Sequence, residues 1–573
     1  MKVSYFGKSS KKVDDCSFML GNKNGGYLLY NISSRYAGMF FYIDHKMYKV
    51  IDEIKVNQPI DKINNMVNRI EVFRNDVKET FFMPFSSNSM VYELNPAVEV
   101  ELVLDVKESY DNREFGRIYS IEKHNDVVVI KFTKMTDVNE DESDKVQEYT
   151  LYLAIYGEGL ESEVMDKWIK KELEFDKHRN SAPFNRHVYP ALKLKGSKIA
   201  FSVSKNKDQA VREAEKVYYE KFEEKEPKDI ALKCAENSLM NLVTEHGVMA
   251  GLPWFFQYWS RDELISLKAL IILKKYDIVK KILLESLDNI DATGYLKDRE
   301  ISTIDSADSI GWLFVRTGDL LQKKRKYFNN NELTSISNKL EKTAIKLLAH
   351  HTKDDLAYNE AQETWMDSSY GEDTRRGARI ELQALRLVMY RQLYKMTQNK
   401  MYKRMEIKMK QKVREEFFTG KLLKDGKGDS TQRPNIFIAA YVYPWLLSKK
   451  EWEKCFDYAL KRLWLKWGGL TTIDKKNILF FKNHSGENAY SYHRGDSWYW
   501  LNNLAAIVLA RVNKRKYKKY IDAIVKASTN DLLYGGVIGC CSELSSSSEQ
   551  RSEGCLNQAW SNALFIEMTD EIK

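Results

Sequence analysis

The pattern of apolar and polar positions changes near residue 205. Before that point apolar residues form short β-branched or aromatic runs, partly in alternation with polar ones, over 98–106, 127–132, 149–156 and 199–203. Turn signals such as Asn24-Gly25-Gly26 separate these runs. Many short strands with few helices are typical of a β-sandwich. The pattern therefore predicts an antiparallel β-sandwich domain over residues 1–204.

From about residue 228 onward the apolar positions recur with the helical period. The charged stretch before it, 205–227, predicts a helical connector with apolar positions at Val211, Val217 and Tyr218. We predict about twelve helices, near 228–245, 261–274, 276–288, 305–317, 332–349, 380–398, 400–417, 434–446, 451–464, 496–513, 516–528 and 557–568. Antiparallel helix pairs in that number fit an (α/α)6 barrel over 228–573. Loops at one end of such a barrel would converge on one pocket.

Composition and charge exclude several function classes. The 90 basic and 81 acidic residues are interspersed, so the net charge of +9 does not predict a nucleic-acid-binding stripe. No run of 18 apolar residues predicts a membrane span, and the polar, basic N-terminus does not resemble a signal peptide. Six cysteines without CxxC or metal-ligand spacing predict reduced thiols, a cytoplasmic location and no metal site.

The helical half contains short motifs that place a carboxylate or a hydrogen-bonding group beside an aromatic ring. The 33 tyrosines and 12 tryptophans fit either large cores or a ligand cleft. Sugars need such pairs, because a ring stacks on the C–H face of a pyranose while carboxylates bind its hydroxyls. In Trp259-Ser-Arg-Asp262, we expect Arg261 and Asp262 to bind sugar hydroxyls, while Trp259 or Trp254 packs on the sugar ring. In Thr364-Trp-Met-Asp367, neighbouring rings and acids favour the raised pKa that a catalytic acid needs.

Each motif also has a purely structural interpretation, which the residues alone leave open. These interpretations are a first-turn helix acid at Asp262, a helix cap at Asp305 or Asp308, a turn cap at Asp367, a buried ion pair of Glu381 with Arg375 or Arg379, a core histidine at His493, and a solvated loop residue at Glu543.

Eight motifs in order resemble the amylo-α-1,6-glucosidase (glycogen debranching) family. They are Trp259-Ser-Arg-Asp262, Ser306-Ala-Asp308, Thr364-Trp-Met-Asp367, Thr374-Arg-Arg-Gly377 through Glu381, Arg433-Pro-Asn435, Tyr492-His-Arg-Gly495 with Trp498, Ser542-Glu543, and Cys555-Leu-Asn-Gln-Ala-Trp-Ser561. Near the N-terminus, Leu20-Gly-Asn-Lys-Asn-Gly-Gly-Tyr27 and Arg35-Tyr-Ala-Gly38 are similar to motifs of the family's β domain. The resemblance therefore extends loosely over both predicted domains.

The resemblance implies a β-sandwich followed by an (α/α)6 barrel with an inverting hydrolase site. By position, it implies that Asp367 is the general acid and Glu543 the general base. The residues implied to bind the substrate are Trp259, Arg261, Asp262, Asp308, Trp365, Glu381, His493 and Trp498. The chain departs from the family pattern at Ser260, Glu263, Thr374 and Tyr499, and its Glu543 loop is rich in serine over 545–548.

We therefore expect a glycoside hydrolase that removes single α-1,6-linked glucose stubs from a glycogen-like α-glucan without a cofactor. The alternatives are a glucoamylase- or trehalase-like hydrolase, or a non-catalytic polysaccharide-binding protein. Residues 1–204 leave no room for a parallel (β/α)8 transferase barrel, which needs about 250 residues. The expected partners are thus a phosphorylase and a transferase that act in sequence on the same polymer.

Overall fold

The structure is a computed structural model that describes residues 1–135, 148–222, 225–299 and 305–572. The chain forms two compact units. The first comprises Met1–Glu245 together with Leu532–Cys540, and the second comprises His246–Asp531 and Cys541–Lys573. A short segment from late in the chain thus belongs to the N-terminal unit. Within the described residues, no helix combines the length and apolar composition that a membrane crossing requires.

The first unit is rich in strands, as the sequence predicts. Its strands up to residue 204 are Lys2–Tyr5 (β1), Lys8–Lys12 (β2), Ser17–Gly21 (β3), Tyr27–Tyr30 (β4), Gly38–Ile43 (β5), Lys46–Lys55 (β6), Lys62–Asn65 (β7), Arg69–Arg74 (β8), Val77–Phe82 (β9), Ser89–Asn95 (β10), Glu99–Glu108 (β11), Arg117–His124 (β12), Val127–Lys134 (β13), Tyr149–Tyr156 (β14), Glu161–Val164 (β15), Ile169–Glu172 (β16), Asn185–Lys195 (β17) and Lys198–Ser204 (β18). Its helices are Glu174–His178 (α1), Lys207–Tyr218 (α2) and Ile230–Met240 (α3).

The second unit is mainly helical. Its helices are Ser260–Ile272 (α4), Tyr276–Asp288 (α5), Ser309–Lys324 (α6), Asn330–His350 (α7), Ile380–Thr397 (α8), Lys400–Phe417 (α9), Asn435–Val442 (α10), Lys449–Leu463 (α11), Tyr499–Tyr534 (α12, which ends in the first unit) and Ala559–Ile572 (α13). Two-residue strands lie at Gly251–Leu252 (β19), Leu296–Lys297 (β20), Asp305–Ser306 (β21), Thr352–Lys353 (β22), Leu356–Ala357 (β23), Ser497–Trp498 (β24), Val537–Ile538 (β25, in the first unit), Leu544–Ser545 (β26) and Asn557–Gln558 (β27). Short 3-10 helices cover Arg325–Tyr327, Pro444–Leu446 and Gly486–Asn488.

Two large sheets form the first unit. One has ten strands in the order β12-β13-β14-β18-β10-β9-β8-β7-β1-β2, and the other has nine in the order β15-β17-β11-β6-β5-β4-β3-β25, with β16 also paired to β17. Each sheet contains one parallel pair, β1 with β7 and β25 with β3, whereas we predicted antiparallel pairing throughout. Both parallel partners are distant in sequence, as parallel pairing requires, and short-range patterns do not reveal such pairs.

Aromatic side chains from the two sheets meet in the core of the first unit. Tyr48 on β6 lies 5.1 Å from Tyr149 on β14 between ring centroids, and Tyr119 on β12 stacks on Tyr189 of β17 at 4.5 Å. The charged helix α2 buries Val217 against the ten-stranded sheet. This helix is therefore packed on the sheet of its own unit along its apolar face.

In the second unit, helix packing follows alternate helices along the chain. Helix α13 packs on α4, α4 on α6, α6 on α8, and α8 on α10. The helix bounds mostly agree with the prediction within a few residues. The two helices predicted over 496–513 and 516–528 are present as the two segments of α12, which are separated by a break in helical geometry at Asn513. Two short antiparallel ladders bring motif-bearing loops together. One pairs β19 with β27, which directly precedes α13, and the other pairs β26 with β24, which directly precedes α12.

Candidate active site

Arg261 is the centre of a cluster of carboxylates at the start of α4. Its guanidinium is buried, and Nε donates to both oxygens of Asp308 at 2.8 and 2.9 Å. Its Nη1 lies 3.5 Å from Asp367 Oδ2 and 3.7 Å from Asp298 Oδ1, and its Nη2 donates to Ser306 Oγ at 3.1 Å. One cation is thus shared by three carboxylates. Charge-assisted hydrogen bonds join Arg261 to Asp308 and Asp367, and Asp298 lies within ion-pair distance.

Asp308 lies at the N-cap position of α6, but its side chain makes no capping hydrogen bond to that helix. Its Oδ2 instead accepts from the backbone N–H of Trp365 at 2.9 Å, while Oδ1 accepts from Ser306 Oγ at 3.0 Å. Asp308 therefore ties Arg261 to the loop that contains Asp367. The sequence left open whether Asp308 caps a helix, and the structure shows that its carboxylate does not.

Asp367 is the most accessible carboxylate bonded to Arg261. Its side chain is 33% exposed, whereas those of Asp298 and Asp308 are 7% and 2% exposed. Burial raises the pKa of Asp367 to about 7, although the nearby Arg261 lowers that pKa, and the charges of Asp298 and Asp308 raise it further. A pKa in this range leaves protonated carboxyl groups available near neutral pH, and the protonated form is the one that a general acid uses.

Asp262 lies in the first turn of α4 with its carboxylate buried. Its Oδ1 accepts from Gln558 Nε2 at 2.9 Å. Burial raises the pKa of Asp262 well above its usual range, and the charges of Asp298, Glu543 and Asp367 raise it further. These electrostatic interactions place Asp262, Asp367 and Glu543 in one cluster.

Glu543 is held on both carboxylate oxygens. Tyr492 Oη donates to Oε1, and the backbone N–H of Cys555 donates to Oε2 at 2.7 Å. Gly554, with φ of +66°, leaves the space that this carboxylate occupies, because a Cβ at residue 554 would overlap Oε2. The backbone of Glu543 also pairs with Tyr499 at 3.1 Å and with Cys555 at 2.8 Å. The orientation of the carboxylate is therefore set before any substrate binds.

Aromatic rings surround the Asp367 loop. Trp365 meets His493 and Trp498 edge to face, at 5.4 and 5.5 Å between ring centroids, and His493 stacks on Trp498 at 5.2 Å. Ser368 Oγ lies 2.8 Å from His493 Nδ1. Burial, together with surrounding arginines, lowers the pKa of His493 well below its usual range, so its imidazole is neutral.

Trp259 and Glu381 occupy different environments from this cluster. Trp259 is half-buried at the N-cap of α4, and the guanidinium of Arg299 lies 4.9 Å from its ring centroid. Glu381 is buried and forms an ion pair with Arg375 at 2.8 Å. Glu381 thus forms the buried ion pair that the sequence left open, and its partner Arg375 contacts the loop that contains Asp367. Arg375 donates to Thr364 Oγ1 at 2.9 Å.

A second network anchors the same loop. Asn435 accepts from Trp365 Nε1 at 2.7 Å and donates to Asp425 at 2.7 Å. Arg433 donates to Asp373 at 2.9 Å and to the carbonyl of His493 at 2.8 Å. The Arg433-Pro-Asn435 motif therefore positions the Asp367 loop.

Three residues of the cluster received no role from the sequence. Tyr492 and Gln558 lie within quoted motifs, but only the structure shows that they bond to Glu543 and Asp262. Asp298 lies outside every motif, and no local pattern predicts its approach to Arg261. Within the described part of the chain, no group of three or more histidine, cysteine or acidic side chains is arranged to hold a metal ion.

The serine-rich loop after Glu543 is ordered by a residue that departs from the family pattern. Tyr499 Oη lies 2.8 Å from Ser545 Oγ and accepts from Gln550 Nε2 at 3.3 Å. Ser545, Ser546 and Ser547 are all buried. Tyr499 thus contacts the serine-rich loop through Ser545. The two features that depart from the family pattern, the tyrosine at 499 and the serines at 545–547, are therefore joined in the structure.

Comparisons with known proteins identify a family and a fold for this chain. The sequence model of the family described as amylo-alpha-1,6-glucosidase matches residues 234–567, more than half of the chain. No curated protein sequence matches significantly. Among solved structures, a bacterial glucoamylase complexed with acarbose is similar with a TM-score of 0.60 and 11% identity, covering 98% of this chain and 95% of that one. The two proteins share a fold. From the family match and the ordered motifs that build this cluster, the chain belongs to the amylo-α-1,6-glucosidase family.

Proposed function

We propose that this chain hydrolyses single α-1,6-linked glucose residues from a glycogen-like α-glucan, with inversion at the anomeric carbon. The observation that supports this most is a pair of carboxyl groups whose charges both act on Asp262. One is Asp367, which is partly exposed and has a pKa raised to about 7, and the other is Glu543, whose carboxylate is oriented by hydrogen bonds. An acid and a base of this kind are the two groups that an inverting glycosidase needs.

In the proposed reaction, Asp367 donates its proton to the glycosidic oxygen as the bond to the anomeric carbon breaks. Glu543 takes a proton from a water molecule, whose oxygen attacks the opposite face of the sugar. Hydrogen bonds from Tyr492 and from the backbone of Cys555 hold the carboxylate of Glu543 in one orientation for this step. The leaving chain gains one proton, after which Asp367 takes a proton from solvent and Glu543 releases its proton to solvent, so both carboxyl groups return to their starting states.

The remaining residues are proposed to bind the terminal glucose. Asp262 would accept from a sugar hydroxyl, with its carboxylate oriented by Gln558. Arg261 and Asp308 would hold Asp367 in place, and Trp259, Trp365, His493 and Trp498 would supply apolar ring faces and edges near the sugar. Glu381 would contribute indirectly, through Arg375.

The architecture that we propose for this chemistry is a β-sandwich followed by an (α/α)6 barrel. It is supported by ring contacts between the two sheets and by the succession of contacts among α13, α4, α6, α8 and α10. We retain the predicted domains at 1–204, 205–227 and 228–573 as part of this proposal. A cytoplasmic location is proposed because all six cysteines are buried and none of them forms a disulfide.

A glucoamylase-like activity on linear α-glucans is the second candidate. The similarity in fold to a bacterial glucoamylase favours it, although a shared fold does not determine the linkage that is cleaved. Under the first proposal, a phosphorylase and a transferase would act before this enzyme and leave single-glucose stubs on the polymer.

The test is to incubate the purified protein with a dextrin that carries single-glucose stubs and, separately, with linear maltooligosaccharides. We expect rapid glucose release from the stubs and slow release from the linear sugars. The reverse order of rates would favour the glucoamylase-like activity. Absence of glucose from both substrates would contradict hydrolysis and favour a polysaccharide-binding role.

A further inference from the structure

Three aromatic rings form an exposed platform on the loops that flank the candidate acid. Tyr370 meets Phe481 and Tyr490 edge to face at 5.5 and 5.2 Å, and Phe481 stacks on Tyr490 at 6.0 Å. Tyr370 is 38% exposed and Tyr490 is 45% exposed, while Phe481 is half-buried beneath them. We call Tyr370, Phe481 and Tyr490 the aromatic platform.

The platform is close to Asp367 along the chain. Tyr370 follows Asp367 by three residues, so their Cα atoms are at most about 10 Å apart even in an extended chain. A single sugar ring spans about half of that distance. A chain of sugars that touches Asp367 can therefore continue over the platform.

Hydrogen bonds to the Asp367 loop fix the platform in place. Arg494 donates to Asp373 Oδ2 at 2.7 Å and to the carbonyl of Ser368 at 2.8 Å, and its guanidinium lies 5.7 Å from the ring centroid of Tyr370. The backbone N–H of Phe481 donates to the carbonyl of Arg494 at 2.7 Å. This approach requires glycine at 495, because a Cβ there would overlap the carbonyl oxygen of Phe481.

The loop that presents Tyr490 is also anchored internally. The backbone N–H of Ser485 donates to Ser491 Oγ at 2.9 Å. The hydroxyl of Ser491 donates to Asp496 Oδ2 at 2.7 Å, and His484 Nδ1 lies 2.7 Å from the same oxygen. Asp496 is fully buried. The platform is thus preorganised, which reduces the entropy that ligand binding would cost.

We propose that the aromatic platform is the binding site for the leaving-group chain of the α-glucan, which is the polymer that remains after glucose is removed. This inference rests on the proposed function, because it needs Asp367 to be the acid. A general acid must contact the glycosidic oxygen, and that oxygen departs with the leaving chain. The terminal glucose must reach the buried Asp262 and Glu543, so the exposed rings beside Asp367 are left for the sugars on the leaving side, whose C–H faces match such rings.

The first experiment measures binding and needs no turnover. In the inactive Asp367→Asn background, we would titrate glycogen against the parent, the Tyr370→Ser variant, the Tyr490→Ser variant and the double variant. Each single change is expected to raise Kd about three- to tenfold, and the double change about thirtyfold, since aromatic stacking contributes at that level.

Tyr327→Ser is the matched control. Tyr327 is similarly exposed, at 36%, but lies beyond the far end of α6, which spans 16 residues, or about 24 Å, from Asp308. This change should leave Kd within about twofold of the parent, a difference below the stacking contribution. Equal binding of glycogen by the parent, the two single variants and the double variant would overturn the proposed platform site but not the proposed function. Absence of glycogen binding by every protein, including the parent, would contradict both.

The second experiment compares substrates in the active enzyme. α-Glucosyl fluoride has a leaving group that is too small to reach the platform, whereas the branched dextrin has a full leaving chain. We expect the ratio of kcat/KM for the dextrin to kcat/KM for the fluoride to fall about tenfold or more in the double variant, mainly through KM. An unchanged ratio would overturn the proposal.

Discussion

At the scale of single residues, the central feature is one arginine shared by three carboxylates. Arg261 bonds to Asp308, Asp367 and Asp298 at unequal distances, and only Asp367 is substantially exposed. Because a single cation cannot neutralise three anions, the arrangement favours a proton on one of them. Desolvation and the charges of Asp298 and Asp308 raise the pKa of Asp367 to about 7, and of the three carboxyl groups it is the one that substrate can reach.

Replacement of Asp367 by asparagine tests its role directly. We expect kcat on the stub dextrin to fall about 10²–10⁴-fold, as loss of a general acid does. Folding should be preserved, since asparagine keeps the shape of aspartate and Arg261 keeps its bonds to Asp308, so thermal unfolding should occur at about the same temperature as in the parent. A variant that keeps more than about a tenth of the activity would contradict the assignment of Asp367.

The pH dependence should report the same residue. Since the acid must be protonated, kcat/KM should fall as pH rises through about 7. The charge of Asp298 raises the pKa of Asp367, so Asp298→Asn should lower that pKa and move the alkaline limb of the profile to lower pH. Asp305→Asn is the control, because Asp305 faces Lys297 instead. An unmoved limb in Asp298→Asn would show that Asp298 does not act on the acid.

At the scale of elements, short ladders and turns position the motif residues. Glycine at 554 is needed for the position of the Glu543 carboxylate, so Gly554→Ala should displace Glu543 and reduce kcat about 100-fold, within the range for loss of acid–base catalysis. Gly420→Ala separates this overlap from backbone strain. Gly420 has a similar positive φ of +82°, but a Cβ there meets open space. Equal losses of kcat in the two variants would contradict our explanation.

Much of the element pattern was predictable from sequence because helical periods and strand runs are local signals. The bounds of α5, α8 and α9 follow the apolar period within one residue. The ladders β19 with β27 and β24 with β26 were not predictable, since each joins two-residue segments that are far apart in sequence. The motif order indicated Asp367 and Glu543, whereas Asp298 and the bond from Tyr492 depend on three-dimensional proximity.

At the scale of the whole molecule, the N-terminal unit determines which second activity is expected. Within its described residues it has two large sheets and only three helices, so it lacks the alternating strands and helices of a (β/α)8 transferase barrel. We predict that the pure protein does not redistribute oligosaccharide lengths. Chromatography after incubation with maltoheptaose checks this, and products longer than maltoheptaose would contradict it.

The long-range assignment of chain segments to units was the part of the fold that sequence patterns did not reveal. Residues 532–540 belong to the first unit, where β25 pairs in parallel with β3. A two-residue strand has no detectable period, so its partner is determined by tertiary packing alone.

We propose that Asp367 and Glu543 act as acid and base in an inverting hydrolysis of α-1,6-linked glucose. The most direct measurement is proton NMR of the glucose first released from the single-stub dextrin, recorded before mutarotation. We expect the parent enzyme to release β-glucose from the α-linked stub, and we expect the Asp367→Asn variant to release no glucose over the same time. Release of α-glucose as the first product would contradict it.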